Sequence, residues 1–485
     1  MSGTGGSYSQ ATTISMLPDD VLLEIFDFYK QNDDLYDDLW NWHFIVHVCR
    51  RWRQVVFASP LRLDLKILCK NGTPVRNLGI GIWPDFPIVI RYINDDITTD
   101  DERNLVAVLL EHPDRVCGVM LEVTGSQLGR ITTAMQEPFP VLTNLFIVIS
   151  SGEIPATLPA VLPTEFLGGS APRLEKIYLR GIPFPALPTL LLSSRDLVTL
   201  DLLGIPPAGY ISPETMVAGL AALPRLNVFT IGFQSAAPRP DRIHPPPVAR
   251  TVLPALTIFE FQGASEYLEE LVSRLDAPQL DEIDTCYLNQ FVDFQAVQLS
   301  RFIDRSVGPK LALFRHAIVT FGSHQVTFDT SRHADDPYSD PTSATTTILC
   351  EGIEWQVLLA TQMLSQFTTR LSNVTHLKLE VYLEEDRQLE DTDGAAWLHL
   401  LQQFSAVQTL RVSQELAAHV ALALEDITAE VVADALPSLD LIYLGGQPAS
   451  TVEKFVAARQ LSDHPVTVLD TETEFDERVK SYVDE

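Results

Sequence analysis

Cysteine is scarce in this sequence of 485 residues, and its five copies are widely scattered. They stand at Cys49, Cys69, Cys117, Cys286 and Cys350. No two of them form a CxxC pair, and an odd number cannot all pair with one another. The spacing therefore predicts free thiols in a reducing compartment and no disulfide framework.

Long apolar runs are also missing. The stretch LPTLLLSS at 187–194 stops after a few residues, far short of the length that spans a bilayer. The first thirteen residues, MSGTGGSYSQATT, are polar and contain no apolar segment of the kind found in secretory signals. We therefore expect no membrane partner, and we expect a protein of the cytoplasm or the nucleus.

Basic residues are few, because 34 Lys and Arg stand against 64 Asp and Glu, giving a formal net charge of −30. Such a charge repels phosphate backbones, so the sequence predicts no binding of nucleic acid. It favours basic partners, or it serves only to keep a large apolar-rich protein in solution. With 46% hydrophobic and 20% charged residues, the chain has the composition of a folded protein.

Motifs that carry chemistry are absent as well. Neither GxSxG nor GxxxxGK[ST] occurs in the sequence. His43 and His47 have a spacing that can share a metal, but no Glu follows His43 as in HExxH, and no third ligand is identifiable. The sequence thus predicts no metal and no cofactor. An enzyme whose catalytic groups converge from distant positions is the alternative.

What is present begins at Ser15–Pro60. In the first half, Pro18 suits a first helical turn, and the two aspartates after it favour the positive end of a helix dipole. An apolar face then follows with helical spacing, formed by Val21, Leu22, Ile25, Phe26 and Tyr29. The second half predicts another helical face, formed by Trp42, Ile45, Cys49, Trp52 and Val56, with Arg50, Arg51 and Arg53 pointing elsewhere. A unit this small is marginal alone, so a partner that covers leftover apolar surface is a reasonable remedy.

The motif LPDDVLLEIF followed by VCRRWRQVV resembles an F-box, the helical element that docks on a Skp-type adapter of cullin–RING ubiquitin ligases. The match covers about a tenth of the chain, and the connection at 30–39 is longer and more acidic than is usual in the family. With the segment at 71–92, the chain is similar to F-box proteins of mushroom-forming fungi. The resemblance implies adapter contacts through Leu17, Pro18, Val21, Leu22, Ile25, Phe26, Val48, Cys49, Trp52 and Arg53.

Beyond residue 115 the chain repeats a relaxed Leu-x-x-Leu-x-Leu unit. Copies begin at Val116, Leu142, Leu174, Leu197, Leu226, Leu256, Leu280, Val374, Val407 and Leu439. Their spacing, where consecutive copies can be traced, lies within or just beyond the 20–29 residues of leucine-rich repeats. Each unit offers a strand that needs a neighbour to be buried, as in a solenoid. An ordinary α/β domain is the alternative.

Returning helices are predicted at Ser265–Leu275, Gly394–Phe404 and Thr451–Leu461. In the first, Ser265 is the predicted N-cap, and Tyr267, Leu268, Leu271 and Leu275 form the apolar stripe. Two segments interrupt the repeats. The Pro-rich stretch at 236–249 predicts an exposed loop. The polar stretch at 331–346, between strand-like QVTFDT and TTTILC, predicts a long hairpin or a flexible insertion.

The sequence therefore predicts an α/β protein with a small helical F-box followed by a leucine-rich-repeat-like solenoid. The expected division is a disordered terminus at 1–13, an F-box at 14–62, a connection at 63–115, the solenoid at 116–470 and an acidic tail at 471–485. The resemblance implies a non-catalytic substrate-recognition subunit of an SCF-type ubiquitin ligase, with an unknown protein substrate. The alternatives are a repeat scaffold without a ligase role and a cryptic hydrolase.

Overall fold

The structure is a computed structural model that divides into two compact units, Met1–Ser150 and Ser151–Glu485. It describes residues 14–29, 42–59, 62–72, 80, 86–93, 97–150, 161–237, 249–288, 296–306, 314–331, 343–367, 371–382, 394–425, 436–462 and 464–469. Several predicted features lie outside these residues: the terminal segments 1–13 and 471–485, the acidic connection at 30–39, and most of the two interrupting segments.

The first unit combines helices with a small sheet. Its helices are α1 (Asp19–Tyr29), α2 (Trp42–Val48), α3 (Arg50–Ala58), α4 (Thr99–Glu111) and α5 (Gly125–Thr133). Its strands are β1 (Ile67–Lys70), β2 (Ile88–Tyr92), β3 (Val116–Val123) and β4 (Asn144–Ile149). The four strands pair in parallel and in chain order. The segment at 63–115, expected as a connection, thus contributes two strands and a helix to this unit.

Local sequence explains where two of these helices begin. Thr98 precedes α4, and its side-chain oxygen accepts the Asp101 backbone N–H while the Asp101 carboxylate accepts the Thr98 N–H. Thr124 and Gln127 form the same reciprocal pair at the start of α5. Each pair satisfies backbone donors that have no partner within the helix. The T-x-x-[D/Q] spacing therefore fixes both helix starts after a strand.

The second unit alternates strands and helices along most of its length. Its strands are β5 (Lys176–Arg180), β6 (Thr199–Ile205), β7 (Val228–Phe233), β8 (Thr251–Val252), β9 (Ile258–Gly263), β10 (Leu275–Asp276), β11 (Glu282–Tyr287), β12 (His316–Gly322), β13 (Gln325–Ser331), β14 (Ala344–Leu349), β15 (His376–Tyr382), β16 (Thr409–Val412), β17 (Leu441–Leu444) and β18 (Thr467–Leu469). Its helices are α6 (Leu187–Leu191), α7 (Pro213–Leu220), α8 (Ser265–Val272), α9 (Val297–Ser306), α10 (Ile353–Leu364), α11 (Gly394–Leu401), α12 (Gln414–Glu425) and α13 (Glu453–Leu461).

Most strands of the second unit form one sheet, which is mostly parallel. Its strand order is β5-β6-β7-β9-β11-β14-β13-β12-β15-β16-β17-β18, and the short strands β8 and β10 pair separately. All ten predicted Leu-x-x-Leu-x-Leu copies, two in the first unit and eight in the second, contain a strand of a parallel sheet. The first residue of every copy is at most 2% exposed. The mixed α/β class with a large, mostly parallel sheet is confirmed.

A recurring turn precedes most of the strands that carry the motif. The N–H of the first motif residue donates to the carbonyl three residues earlier, as in Leu197 to Ser194 and Leu226 to Leu223. The next N–H groups donate to the preceding copy: Asn227 and Val228 both bond the Val198 carbonyl, at 2.8 and 3.1 Å. Backbone groups buried by this turn are thus paired from one copy to the next.

The returning helices confirm the predictions with corrections at their ends. The first ends at Val272, and Leu275 belongs to strand β10, although it is buried with the rest of the stripe. The prediction that Ser265 is the N-cap is wrong, because Ala264 occupies that position and no side chain caps the helix. The second helix ends at Leu401, and the third begins at Glu453 after a 3-10 turn at Ala449–Val452.

An antiparallel excursion interrupts the parallel order. Strand β13 pairs antiparallel with β12 on one side and β14 on the other, so the predicted hairpin between QVTFDT and TTTILC is confirmed. The flanking strands β14 and β12 then pair in parallel with β11 and β15. The excursion therefore fills the interval between the copies at Leu280 and Val374 without breaking the sheet. Strand β12 was missed by the sequence analysis because it lacks the Leu-x-x-Leu-x-Leu pattern.

Candidate docking surface on the N-terminal helices

Cys49 separates two helices where the sequence predicted one continuous face. Its backbone is extended, with φ −156° and ψ 169°, and its Sγ accepts the Trp52 backbone N–H at 3.4 Å. Cys49 is therefore the N-cap of α3, and the prediction that Cys49 shares a continuous helical face with Val56 is wrong. A helix start needs acceptors for its first N–H groups, and the cysteine sulfur provides one.

A small core holds the three helices together. Leu22, Phe26 and Val56 are 0–2% exposed, and the rings of Phe26 and Trp52 meet edge-on with centroids 4.9 Å apart. Ile45 and Val55 are also buried. The contacts of α1 with α3 thus come from Leu22 and Phe26. These two residues lie four positions apart, so the helical repeat places both toward the interior.

Arg51 and Arg53 of the RRWR segment at 50–53 form hydrogen bonds within this unit. Arg51 donates to the Leu17 carbonyl and, at 2.7 Å, to Asp19 Oδ1, so it joins α3 to the start of α1. Arg53 Nε donates to the Val46 carbonyl at 2.9 Å, which supplies a donor to the last turn of α2. Both side chains therefore position the helices, whatever else they contact.

The ten residues implied as adapter contacts fall into three groups. Leu22 and Phe26 are buried against the unit's own core. Leu17 and Trp52 are half-buried. The other six are exposed: Pro18, Val21, Ile25, Val48, Cys49 and Arg53. The structure thus brings six of the ten to the surface of these helices.

Exposed apolar side chains are concentrated on these helices. Seven of the seventeen large apolar side chains exposed in the described residues lie between positions 14 and 48. They are Ile14, Met16, Val21, Ile25, Phe28, Phe44 and Val48. Contiguous exposed apolar surface is typical of an interaction site. Sequence reasoning missed Phe28 and Phe44, although the i, i+4, i+7 spacing of Val21, Ile25 and Phe28 could have shown a second stripe.

Helix α1 is therefore apolar on two sides. Leu22 and Phe26 face the core, while Val21, Ile25 and Phe28 form a stripe with exposures of 41%, 40% and 77%. A helix that is apolar nearly all round is normally buried on all sides. The outer stripe, which we call the α1 outer stripe (Val21, Ile25, Phe28), is thus the part of this surface most in need of a partner.

Metal-binding clusters of side chains and membrane-spanning helices are absent from the part of the chain that the structure describes. Within the described residues, no group of three or more His, Cys, Asp and Glu side chains is arranged to hold a metal ion. None of the helices in the described ranges has the length and apolar character needed to cross a bilayer. As for known proteins, no family model and no curated protein matches this chain.

Proposed function

We propose that the chain is a substrate-recognition subunit of an SCF-type cullin–RING ubiquitin ligase. The N-terminal helices dock on a Skp-type adapter, and the repeat region holds a protein substrate. The observation that carries the proposal is the exposed apolar surface at positions 14–48, which coincides with the motif that resembles an F-box.

The α1 outer stripe accounts for the docking energy. Burying an apolar surface stabilises a complex by about 25 cal/mol per Å², and a buried Ile or Phe side chain contributes about 1.5–3 kcal/mol. Phe28 has the largest exposed fraction of the three, at 77%. Leu22 and Phe26 contribute indirectly, because their packing fixes the orientation of α1 and therefore of the stripe.

The repeat region is proposed to be a leucine-rich-repeat-like solenoid. Support comes from the parallel strands that follow one another in the sheet and from the turn that links most copies to the preceding strand. In such an arrangement each copy is buried by its neighbours. The chain supplies no catalytic group in this proposal. Its contribution is proximity, since a held substrate presents its lysines at high effective concentration.

Capture of the adapter tests the proposal. The full chain and its Ile25→Asp/Phe28→Asp variant are compared for co-purification with a Skp-type adapter. We expect the variant to lose the adapter at least about tenfold, because two charged side chains cannot be buried in an apolar contact. The stability of both proteins is compared by thermal unfolding, and both positions are exposed in the free chain.

The matched control is Leu192→Asp/Leu461→Asp, which places the same charges on apolar side chains that are 56% and 90% exposed elsewhere. This control retains the adapter if the α1 outer stripe is the contact. Failure of the unchanged chain to capture the adapter, or equal capture by both variants, contradicts the proposal. A chain that binds other proteins without the adapter would instead be the scaffold.

A further inference from the structure

Several carboxylate side chains lie in one row across the sheet of the second unit, at positions that face one another on neighbouring strands. Asp201 of β6 lies opposite Thr230 of β7, and Thr230 lies opposite Glu260 of β9. Glu260 in turn lies opposite Asp284 of β11. Because residues opposite one another on paired strands point to the same face, these side chains share one face of the sheet.

The row continues through the antiparallel excursion. Asp284 lies opposite Thr345 of β14, and Thr345 lies opposite Asp329 of β13. Beyond the excursion the charge of the row changes from negative to positive, because the row reaches Lys378 of β15 and Arg411 of β16. Four acidic positions are thus followed by two basic ones. We call Asp201, Glu260, Asp284 and Asp329 the acidic row.

Helices cover the opposite face of the sheet. Phe233 packs on Tyr267 of α8, Phe259 on Phe302 of α9, and Phe321 on Trp397 of α11. These phenylalanines are out of phase with the acidic row along their strands. Positions in phase with the row are half-buried or exposed on most strands, as at Glu260 and Asp284. Asp329 itself is 8% exposed, so within the described residues the face that carries the row is accessible at Asp201, Glu260 and Asp284.

The acidic row is electrostatically unsatisfied. None of its four carboxylates forms an ion pair in the described part of the chain, and Asp201 Oδ1 is hidden from solvent without a hydrogen bond. Thr230 donates to Glu260 at 3.1 Å, and Thr345 donates to Asp329 at 2.7 Å. These hydroxyls fix the orientation of two carboxylates without neutralising them, so cationic groups would be favoured along the row.

The pKa values of two members of the row reflect first their partial burial and then the neighbouring carboxylates. Partial desolvation, followed by the charge of Glu260, raises the pKa of Asp201 to about 6, against an opposing effect of Arg180. Desolvation and then the charges of Glu260, Asp329 and Glu282 raise the pKa of Asp284 to about 6. Neighbouring carboxylates disfavour the charged form unless a cation is near. A bound cationic partner would therefore lower both pKa values.

We propose that the acidic row is the docking surface for an extended Lys- and Arg-rich segment of a partner protein. Paired strands are about 4.8 Å apart, so the five steps from β6 to β13 span about 24 Å, the reach of about seven extended residues. Lys378 and Arg411 lie at one end of the row, where their positive charges repel further basic residues of the segment. That this partner is a ligase substrate rests on the proposed function, whereas the binding itself does not.

Peptide binding tests the proposal on the full chain without any adapter. The probe is a fluorescein-labelled peptide of about ten residues in which Lys and Ser alternate, so that its cationic side chains share one side. The variant Asp201→Asn/Glu260→Gln/Asp284→Asn/Asp329→Asn is expected to weaken its binding at least about tenfold, read from fluorescence anisotropy. An equivalent Glu–Ser peptide is expected not to bind.

The matched control removes the same number of charges elsewhere in the second unit, through Glu165→Gln/Glu351→Gln/Glu415→Gln/Glu453→Gln, all at exposed positions. If the control weakens binding as much as the row variant, only the general negative charge is involved and the proposal fails. A second variant, Lys378→Gln/Arg411→Gln, is expected to tighten binding, a gain that misfolding cannot produce. Unchanged or weaker binding by that variant contradicts the proposal that Lys378 and Arg411 repel basic residues at one end of the row.

The two proposals fail separately. Loss of adapter capture leaves the peptide measurement unaffected, because the N-terminal helices take no part in it. An absent peptide complex likewise leaves the adapter result standing. Binding of the peptide is also expected to weaken as the pH falls from about 7.5 to 5, since Asp201 and Asp284 become protonated. The Lys side chains of the probe keep their charge throughout this range.

Discussion

Asp201 shows how one side chain can be costly to the fold. It lies in the middle of the β6 strand, is half-buried, and has one oxygen that is hidden without a hydrogen bond. Its pKa of about 6 in the folded protein exceeds the value of about 3.9 expected in the unfolded chain. The folded state therefore binds more protons between these two values, and its stability rises as the pH falls through this window.

We predict that Asp201→Asn stabilises the protein at neutral pH. The charge penalty is fully present above pH 6, so removing it should raise the free energy of unfolding by about 1 kcal/mol after allowance for solvent screening. The measurement is denaturant unfolding at about pH 7.5 and pH 4. The gain should vanish at the lower pH, where the native carboxyl is already protonated.

Asp114→Asn provides the control, because Asp114 is exposed outside the acidic row. A gain of equal size in this control would indicate a general charge effect and not the crowding at Asp201. A destabilised Asp201→Asn protein would mean that the carboxylate makes a favourable contact.

The sequence predicted that α1 has an apolar face, but it did not predict which of the apolar side chains point into the core. The apolar spacing of α1 placed Leu22, Ile25 and Phe26 on one face, yet Ile25 is 40% exposed while its two companions are buried. Phe26 and Phe28 differ by two positions and occupy opposite environments, at 2% and 77% exposure. Which stripe of an all-round apolar helix turns inward depends on the neighbouring helices, which the local pattern does not contain.

At the scale of elements, helix α8 is tied to helix α9 by a buried carboxylate. Glu269 is 7% exposed, and its two oxygens accept the backbone N–H groups of Gln298 and Leu299, both at 2.8 Å. These N–H groups belong to the first turn of α9, where no intrahelical acceptor exists. Glu269 therefore provides the cap that α9 lacks in its own sequence.

We predict that Glu269→Ala destabilises the second unit by about 1–3 kcal/mol, because it leaves the buried N–H of Leu299 and the half-buried N–H of Gln298 without an acceptor. The companion variant Glu269→Gln keeps one acceptor oxygen and should lose less. Thermal and denaturant unfolding measure both. Equal stability of all three proteins would show that water replaces the carboxylate, and a larger loss in the Gln variant than in the Ala variant would contradict the capping role.

The strands were the elements that the sequence predicted best. Every Leu-x-x-Leu-x-Leu copy contains a strand, because its apolar positions alternate, and in most copies the first residue also anchors a turn. The returning helices were predicted with ends that shifted by a few residues. Strand β12 and the order β11-β14-β13-β12-β15 were not predicted, since the pairing of an antiparallel excursion depends on partners far apart in the chain.

At the scale of the whole molecule, the net charge of −30 is a long-range repulsion. Exposed like charges within a Debye length of one another oppose the compact state. The acidic row places four carboxylates on a single face of the sheet. Salt should therefore affect stability and partner binding in opposite directions.

We predict that the thermal unfolding midpoint rises by a few degrees between about 0.05 and 0.5 M NaCl, because the Debye length shrinks and self-repulsion is screened. The same change should weaken binding of the basic peptide. KCl should act equally, which separates screening from specific ion effects. Near the isoelectric point of about 4.6 the rise should disappear. A midpoint that falls with salt would mean that attractive ion pairs dominate.

Periodicity and composition are local or additive properties, so they were enough to establish the mixed α/β class, the position of most strands and the scarcity of positive charge. The sequence also showed the resemblance to an F-box, which remains the basis of the proposed function. The folded structure was needed to show that α1 has an outer stripe, that Cys49 caps a helix, and that four carboxylates share one row. Those features arise when separate segments pack in register, and such contacts join residues that the sequence keeps tens of positions apart.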